Sequence, residues 1–303
     1  MRGTAFSREV LRWSVAIACL AMATVASTGA ARASQPDGAE MQFLVVRSGQ
    51  PGCEPTCAEW ISAEGTIVDE SPAIFKKLLK SIGNRRLPIV VTSPGGDVDA
   101  ALAIGRMIRA RQIEVAVGKT QLIDCQPEQE DCIDSDRHGA RRIGIAHSGE
   151  AYCNSSCPLM LAGGTGRVVG EWAYLGVHQI TTTYVQIETL YRAKYRIVNG
   201  KKTMTSKKVV SRKNIGGYKT YEMSKSTERK LKAYLAEMGV GGAVVDLMKI
   251  TPAADIRKIE PVAMLEMKLT TKLGGVELLT SAEACRTVPA AANCRVFTSV
   301  DLE

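Results

Sequence analysis

Ser93-Pro94-Gly95-Gly96-Asp97 is the stretch from which the fold is read. The apolar run 87–91 precedes it, and a helical pattern over 98–109 follows. A short buried strand is therefore expected to enter a glycine-rich turn and leave it as a helix capped by Asp97. Glycine lets the backbone approach another group with no Cβ in the way, so this turn can present N–H groups. A second segment, Cys153-Asn154-Ser155-Ser156-Cys157, leads into the apolar residues 158–162 and then Gly163-Gly164. Gly176-Val177-His178-Gln179 follows, with the imidazole 23 residues after Ser155. Open amides, a hydroxyl and a base are the parts of a serine hydrolase.

Working outward, strand patterns fall at 41–46, 59–67 with a turn at Gly65, 113–117, 143–145 and 173–177. Helical spacing covers 72–82, where Asp69 or Ser71 is placed to cap, and segments near 231–238, 243–248 and 261–269. Residues 155–161 read as a turn entering a helix. Strands alternating with helices predict an α/β fold in which helices cover a sheet. Two stretches break the alternation. Residues 119–142 form a polar insertion with an acidic tip. Residues 184–232 carry many lysines and arginines against few acids and read as a solvated insertion.

The chain has 303 residues, 45% of them apolar, which fits a globular protein and argues against general disorder. Residues 1–33 read as a secretory signal peptide. Arg2, Arg8 and Arg12 precede an apolar stretch over 13–26, and Ala31-Arg32-Ala33 makes a small-x-small cleavage site. The apolar stretch is shorter than the roughly 20 residues of a spanning helix. Of nine cysteines, Cys19 leaves with that segment. The rest fall into close pairs: Cys53 with Cys57, Cys125 with Cys132, Cys153 with Cys157, and Cys285 with Cys294. Such pairs suit disulfides in an oxidising compartment, so a periplasmic or secreted location is expected. Their spacings are not C-x-x-C, and the chain has only three histidines, His138, His147 and His178, so no metal site is expected. The net charge is +8, and losing residues 1–33, with four arginines and one glutamate, leaves +5. That balance does not point to nucleic acid.

The Ser-Pro-Gly-Gly turn, a serine nine residues before Gly164 and the Gly-Val-His-Gln word after a strand together resemble the ClpP/crotonase superfamily, in particular its exported ClpP-like serine proteases. The resemblance covers about residues 58–118 and 150–180, and 250–275 weakly. It implies a ClpP/crotonase-like spiral of β-sheet and helices over 34–280, with the basic insertion about 184–232 and a tail, 281–303, holding a disulfide. Carried onto this chain, Ser155 would be the nucleophile and His178 the general base, with Asp255 as the acid and Asp246 as its fallback. Gly95 or Gly96, with Ser156, would offer backbone N–H groups to the oxyanion. Ser155 and Ser156 are adjacent, so a shift of one residue would exchange the nucleophile. The resemblance also implies a peptide or protein substrate, a homo-oligomer and no cofactor. A catalytically inactive binding or scaffolding protein is the alternative. A crotonase-type acyl-CoA enzyme is a third reading, disfavoured by export. For the basic stretch 184–232, an anionic membrane surface is the partner to weigh against plain solvation.

Overall fold

The structure, a computed structural model, describes residues 38–123 and 142–296. The expectations for residues 1–33, for Cys125 and Cys132, and for His138 lie outside the described residues. The described residues fall within one compact unit, Pro36–Glu303.

The expected α/β class is observed: a central sheet with helices against it. Its centre is a parallel run of β2 (Thr56–Glu64), β3 (Ile89–Thr92), β4 (Val115–Val117) and β8 (Arg167–Val169). On the other side β2 pairs antiparallel with β1 (Gln42–Ser48), and β6 (Arg142–His147) and β5 (Lys119–Leu122) complete that edge. Successive residues of a strand point to opposite faces. Ile89 and Val91 accordingly enter one core and Val90 the other; Val115 and Val117 divide from Ala116 in the same way. Unbroken Val/Ile runs are what a sheet covered on both faces requires.

The larger core lies under α1 (Ser71–Ser81), α2 (Val98–Ala110), α3 (Cys157–Ala162), α4 (Lys225–Glu237) and α5 (Ala243–Ile250). A second, three-stranded sheet packs into the same core. There β9 (Ala173–Val177) lies between β7 (Ala151–Asn154), parallel to it, and β12 (Arg257–Lys258), antiparallel to it. The short helices α6 (Pro261–Glu266), α7 (Glu277–Thr280) and α8 (Ala282–Arg286) follow, and β13 (Cys294–Val296) ends the described chain.

One local expectation is revised. Neither Asp69 nor Ser71 caps α1: Glu70 occupies the cap position without a side-chain bond, while Ser71 Oγ accepts from the Val68 N–H. The described part of 281–303 holds the Cys285–Cys294 disulfide and packs on the sheet. β13 pairs with β2, and the Asn293 amide donates to the Glu59 and Leu279 carbonyls.

The last residues of the basic stretch 184–232, from Lys225, belong to α4, and the part before them is exposed and regular. It forms a two-stranded antiparallel ribbon of β10 (Thr182–Val198) and β11 (Lys201–Thr220), turned at Asn199-Gly200, both with positive φ. Asn-Gly in that conformation is the commonest short hairpin turn. The register slips at three places, each leaving one extra residue on β11: Ile215, Val210 and Thr205, five apart. Each bulge restores the facing of the two strands and adds twist.

Candidate active site

β3 and β7 meet at a single bridge, Ser93 with Cys153. The Ser93 N–H donates to the Tyr152 carbonyl at 2.8 Å, and the Asn154 N–H donates back to the Ser93 carbonyl at 2.9 Å. These bonds set the glycine turn beside the serine segment. Ser93 Oγ donates to the Gly65 carbonyl at 2.6 Å and accepts the Gly95 N–H at 3.1 Å. Ile67 completes the clamp: its N–H donates to the Gly95 carbonyl, and its carbonyl accepts from Asp97 N–H. As expected, Asp97 caps α2, accepting from Ala100 N–H at 2.7 Å.

The two glycines have different work. Gly95 has φ 99° and is buried; a Cβ there would lie 2.5 Å from the Ser155 Cβ. Gly96 has φ 136° and is exposed; a Cβ there would lie 2.0 Å from the Ile67 carbonyl oxygen. The Gly95 amide is spent on Ser93. The amides of Gly96 and Ser156 donate to no group among the described residues.

Ser155 stands between strand β7 and helix α3 at φ 60°, a left-handed conformation that costs a non-glycine residue about 1–3 kcal/mol. Strand, tight turn, helix is the geometry that lifts a nucleophile's hydroxyl off the backbone. The Ser155 N–H donates to the Gly176 carbonyl at 2.8 Å, tying the turn to β9. Two residues beyond Gly176 comes His178, and its Nε2 lies 2.7 Å from Ser155 Oγ. Both side chains are half-buried. Ser156 Oγ, by contrast, is buried with no hydrogen-bond partner. Of the two adjacent serines, Ser155 is therefore the one in contact with the imidazole. A disulfide joins Cys153 to Cys157, flanking the turn two residues on either side; Cys53–Cys57 and Cys285–Cys294 are also bonded.

The structure does not bring Asp255 to this pair. Asp255 is exposed, in the loop before β12, and makes no hydrogen bond with His178. His178 Nδ1 is buried with no hydrogen-bond partner. Asp246, the fallback, forms an ion pair with Lys232 at 3.0 Å. The loop itself does reach the site's edge, since Ile256 Cγ2 would lie 2.4 Å from a Cβ on Gly176.

Sequence reasoning missed the framework behind the serine. A Cβ on Gly163, at the end of α3, would lie 2.1 Å from the Gly105 carbonyl oxygen in α2. Over Gly105 reaches Tyr234 of α4, whose hydroxyl donates to the Leu159 carbonyl in α3 at 2.8 Å. Burial pushes the Tyr234 phenol well above its usual range. Arg167 donates to the carbonyls of Gly164, Lys268 and Leu269, and burial pulls its pKa down to about 10. A lone Gly in a helical pattern followed by a Gly-Gly pair was the legible hint of close helix packing.

Several solved structures share part of this chain path. A mutant of the 1510-N membrane-bound stomatin-specific protease is 13% identical, with a TM-score of 0.40 over 78% of this chain and 89% of that one. A second mutant of that protease, in complex with a substrate peptide, is 14% identical, with a TM-score of 0.38 over 70% and 73%. A ClpP1 mutant from Listeria monocytogenes is 12% identical, with a TM-score of 0.35 over 71% and 90%. Likeness at that level does not bear on the site. No protein-family model and no curated protein matches the chain.

Proposed function

We propose that this chain is an exported serine hydrolase of the ClpP-like kind, cleaving peptide bonds through an acyl-enzyme on Ser155. The observation that carries the reading is the 2.7 Å contact between Ser155 Oγ and His178 Nε2 at a strained strand-to-helix turn. In this reading Nε2 takes the hydroxyl proton as Oγ attacks the carbonyl carbon. The tetrahedral oxygen receives N–H bonds from Ser156 and Gly96, each worth about 10²–10³ in rate. Collapse breaks the C–N bond, and the proton on Nε2 passes to the leaving amine. Water then hydrolyses the ester by the reverse proton path. Gly96 is favoured over Gly95 as donor because the Gly95 amide already serves Ser93.

The disulfides are consistent with an oxidising compartment, and no helix among the described residues is long and apolar enough to cross a membrane. Export, and with it a periplasmic or secreted location, is part of the proposal, as is an assembly of several copies acting on peptide substrates.

One observation favours the second reading, a catalytically silent binding protein. His178 Nδ1 has no carboxylate to fix its tautomer or to stabilise the imidazolium. Labelling with a fluorophosphonate separates the two. The hydrolase reading expects labelling of the wild type and of Ser156→Ala, and none of Ser155→Ala or His178→Ala. A folded wild type that takes no label establishes the silent protein.

A further inference from the structure

The bulges all lie on β11, so successive residues of β10 face alternate sides throughout, and its lysines and arginines fall on one side only. Val185, Ile187, Tyr191, Tyr195 and Ile197 occupy one face, all of them exposed. Directly opposite on β11 stand Val209 and Met204, across from Tyr191 and Tyr195. The other face of β10 bears Arg192, Lys194 and Arg196 among Tyr184, Leu190 and Val198, so the charge of this strand, but not all of its apolar surface, lies there. Between residues 182 and 220 the chain has ten lysines and arginines and one acid, Glu188, a net charge of +9. On the apolar face, Lys207 Nζ lies 3.6 Å from the centre of the Tyr191 ring and Lys202 Nζ 4.4 Å from that of Tyr195. Ile197 is 75% exposed and Tyr195 52%.

A two-stranded ribbon is marginal in water by itself, and this one holds an apolar stripe about 40 Å long away from any core. Exposed apolar stripes of this size are covered by a partner. Charge decides which partner. A second copy would bring another +9 against this one, with lysines on the very face that must be buried. An anionic bilayer supplies both complements. Aromatic and aliphatic side chains sink to the level of the headgroups, while lysines on the same face reach back to lipid phosphate.

We propose that the β10–β11 ribbon is a membrane-surface element, lying with its Ile187/Tyr191/Tyr195/Ile197 face on an anionic bilayer. This docking is independent of whether Ser155 is catalytic. It would place the site's entire body, through the short link 178–181, next to the lipid surface.

The test is partitioning of the full chain onto vesicles of phosphatidylglycerol and of phosphatidylcholine. Residues 1–33 are common to every variant, so differences between variants report the ribbon. Binding to phosphatidylglycerol should exceed binding to phosphatidylcholine by about tenfold or more, and should weaken with salt. Ile187→Ser/Tyr191→Ser/Tyr195→Ser should lower phosphatidylglycerol binding about tenfold, with an unchanged melting curve for the body. Lys202→Gln/Lys207→Gln should lower it by a smaller factor. A second readout does not depend on weakening the ribbon: Tyr195→Trp emission should shift to the blue on phosphatidylglycerol vesicles, and Tyr184→Trp, on the opposite face, should not. Equal binding to the two lipids overturns the proposal. So does wild-type binding by the triple serine variant, which would mean plain adhesion of a polycation. A ribbon-dependent dimer that ignores vesicles also overturns it, in favour of a second copy.

Discussion

At Ser155 a polar residue accepts a left-handed backbone, and three neighbours hold it there: the Gly176 carbonyl, the Gly95 backbone and His178 Nε2. Residues held in rare backbone regions persist only where the surroundings over-determine them. The sequence ranks Ser155 above Ser156 by register alone, because that choice keeps Gly164 and the intervening apolar residues in place, and a shift of one residue would exchange them. The fold ranks them by turning one hydroxyl to the imidazole and burying the other. The acid is where the residue scale departs most from expectation. Asp255→Asn should leave fluorophosphonate labelling of Ser155 within about twofold of wild type, since its carboxylate does not touch His178. A loss of a hundredfold or more would show that the 252–258 loop moves to complete a triad.

At the scale of elements, the turn carries cysteines where the G-x-S-x-G nucleophile elbow carries glycines, two residues either side of the serine. Joined, Cys153 and Cys157 tie the end of β7 to the start of α3 and restrict the turn before folding. A five-residue loop of this kind contributes about 2 kcal/mol in the chain-entropy account. Cys153→Ala/Cys157→Ala should lose about that much in urea denaturation. Its labelling rate should fall further than the small unfolded fraction explains, because the turn loosens while the fold survives. The α2–α3–α4 contact is the other positioning device. Tyr234→Phe leaves the buried Leu159 carbonyl without its partner and should cost about 1–3 kcal/mol. Gly105→Ala drives a methyl into the Tyr234 hydroxyl and should cost a similar 1–3 kcal/mol. Denaturation midpoints of the two variants check both, and the double variant should show less than the sum, because the two changes meet at one contact.

Across the whole molecule, the sheet is locked along its edge by Glu64, the last residue of β2. Its carboxylate accepts from Thr120 N–H at 2.7 Å and from Ser62 Oγ at 3.2 Å. Burial raises its pKa above the ordinary 4.5, against the lowering pull of those bonds and of Lys119. The folded protein therefore binds this proton more tightly than the unfolded chain does. Its contribution to stability is most favourable below pH 4.5, declines as pH rises from there through the raised value, and stays low beyond it. Glu64→Gln removes that dependence. The stability of the variant relative to wild type should improve between pH 4 and pH 7, measured by chemical denaturation at each pH. A difference that stays flat over that range would show that Glu64 titrates alike in both states.

Legible in local stretches of residues were the strands β3, β4 and β9, the helix α2 with its Asp97 cap, the glycine turn and the pairing of a serine with His178. Each of these is written locally, in an apolar run, a capping residue or a glycine at a forced turn. Three things were decided only by tertiary structure. Asp255 lies apart from the imidazole, because a loop's position relative to β9 depends on packing, not on its own residues. Gly96 rather than Gly95 is left with an open amide, because Ser93 folds back to take the other. The basic stretch becomes a paired ribbon, because its alternation of Val, Ile and Tyr with Lys and Arg acquires meaning only when a second strand, bulged every fifth residue, supplies its hydrogen bonds and holds the two faces in register.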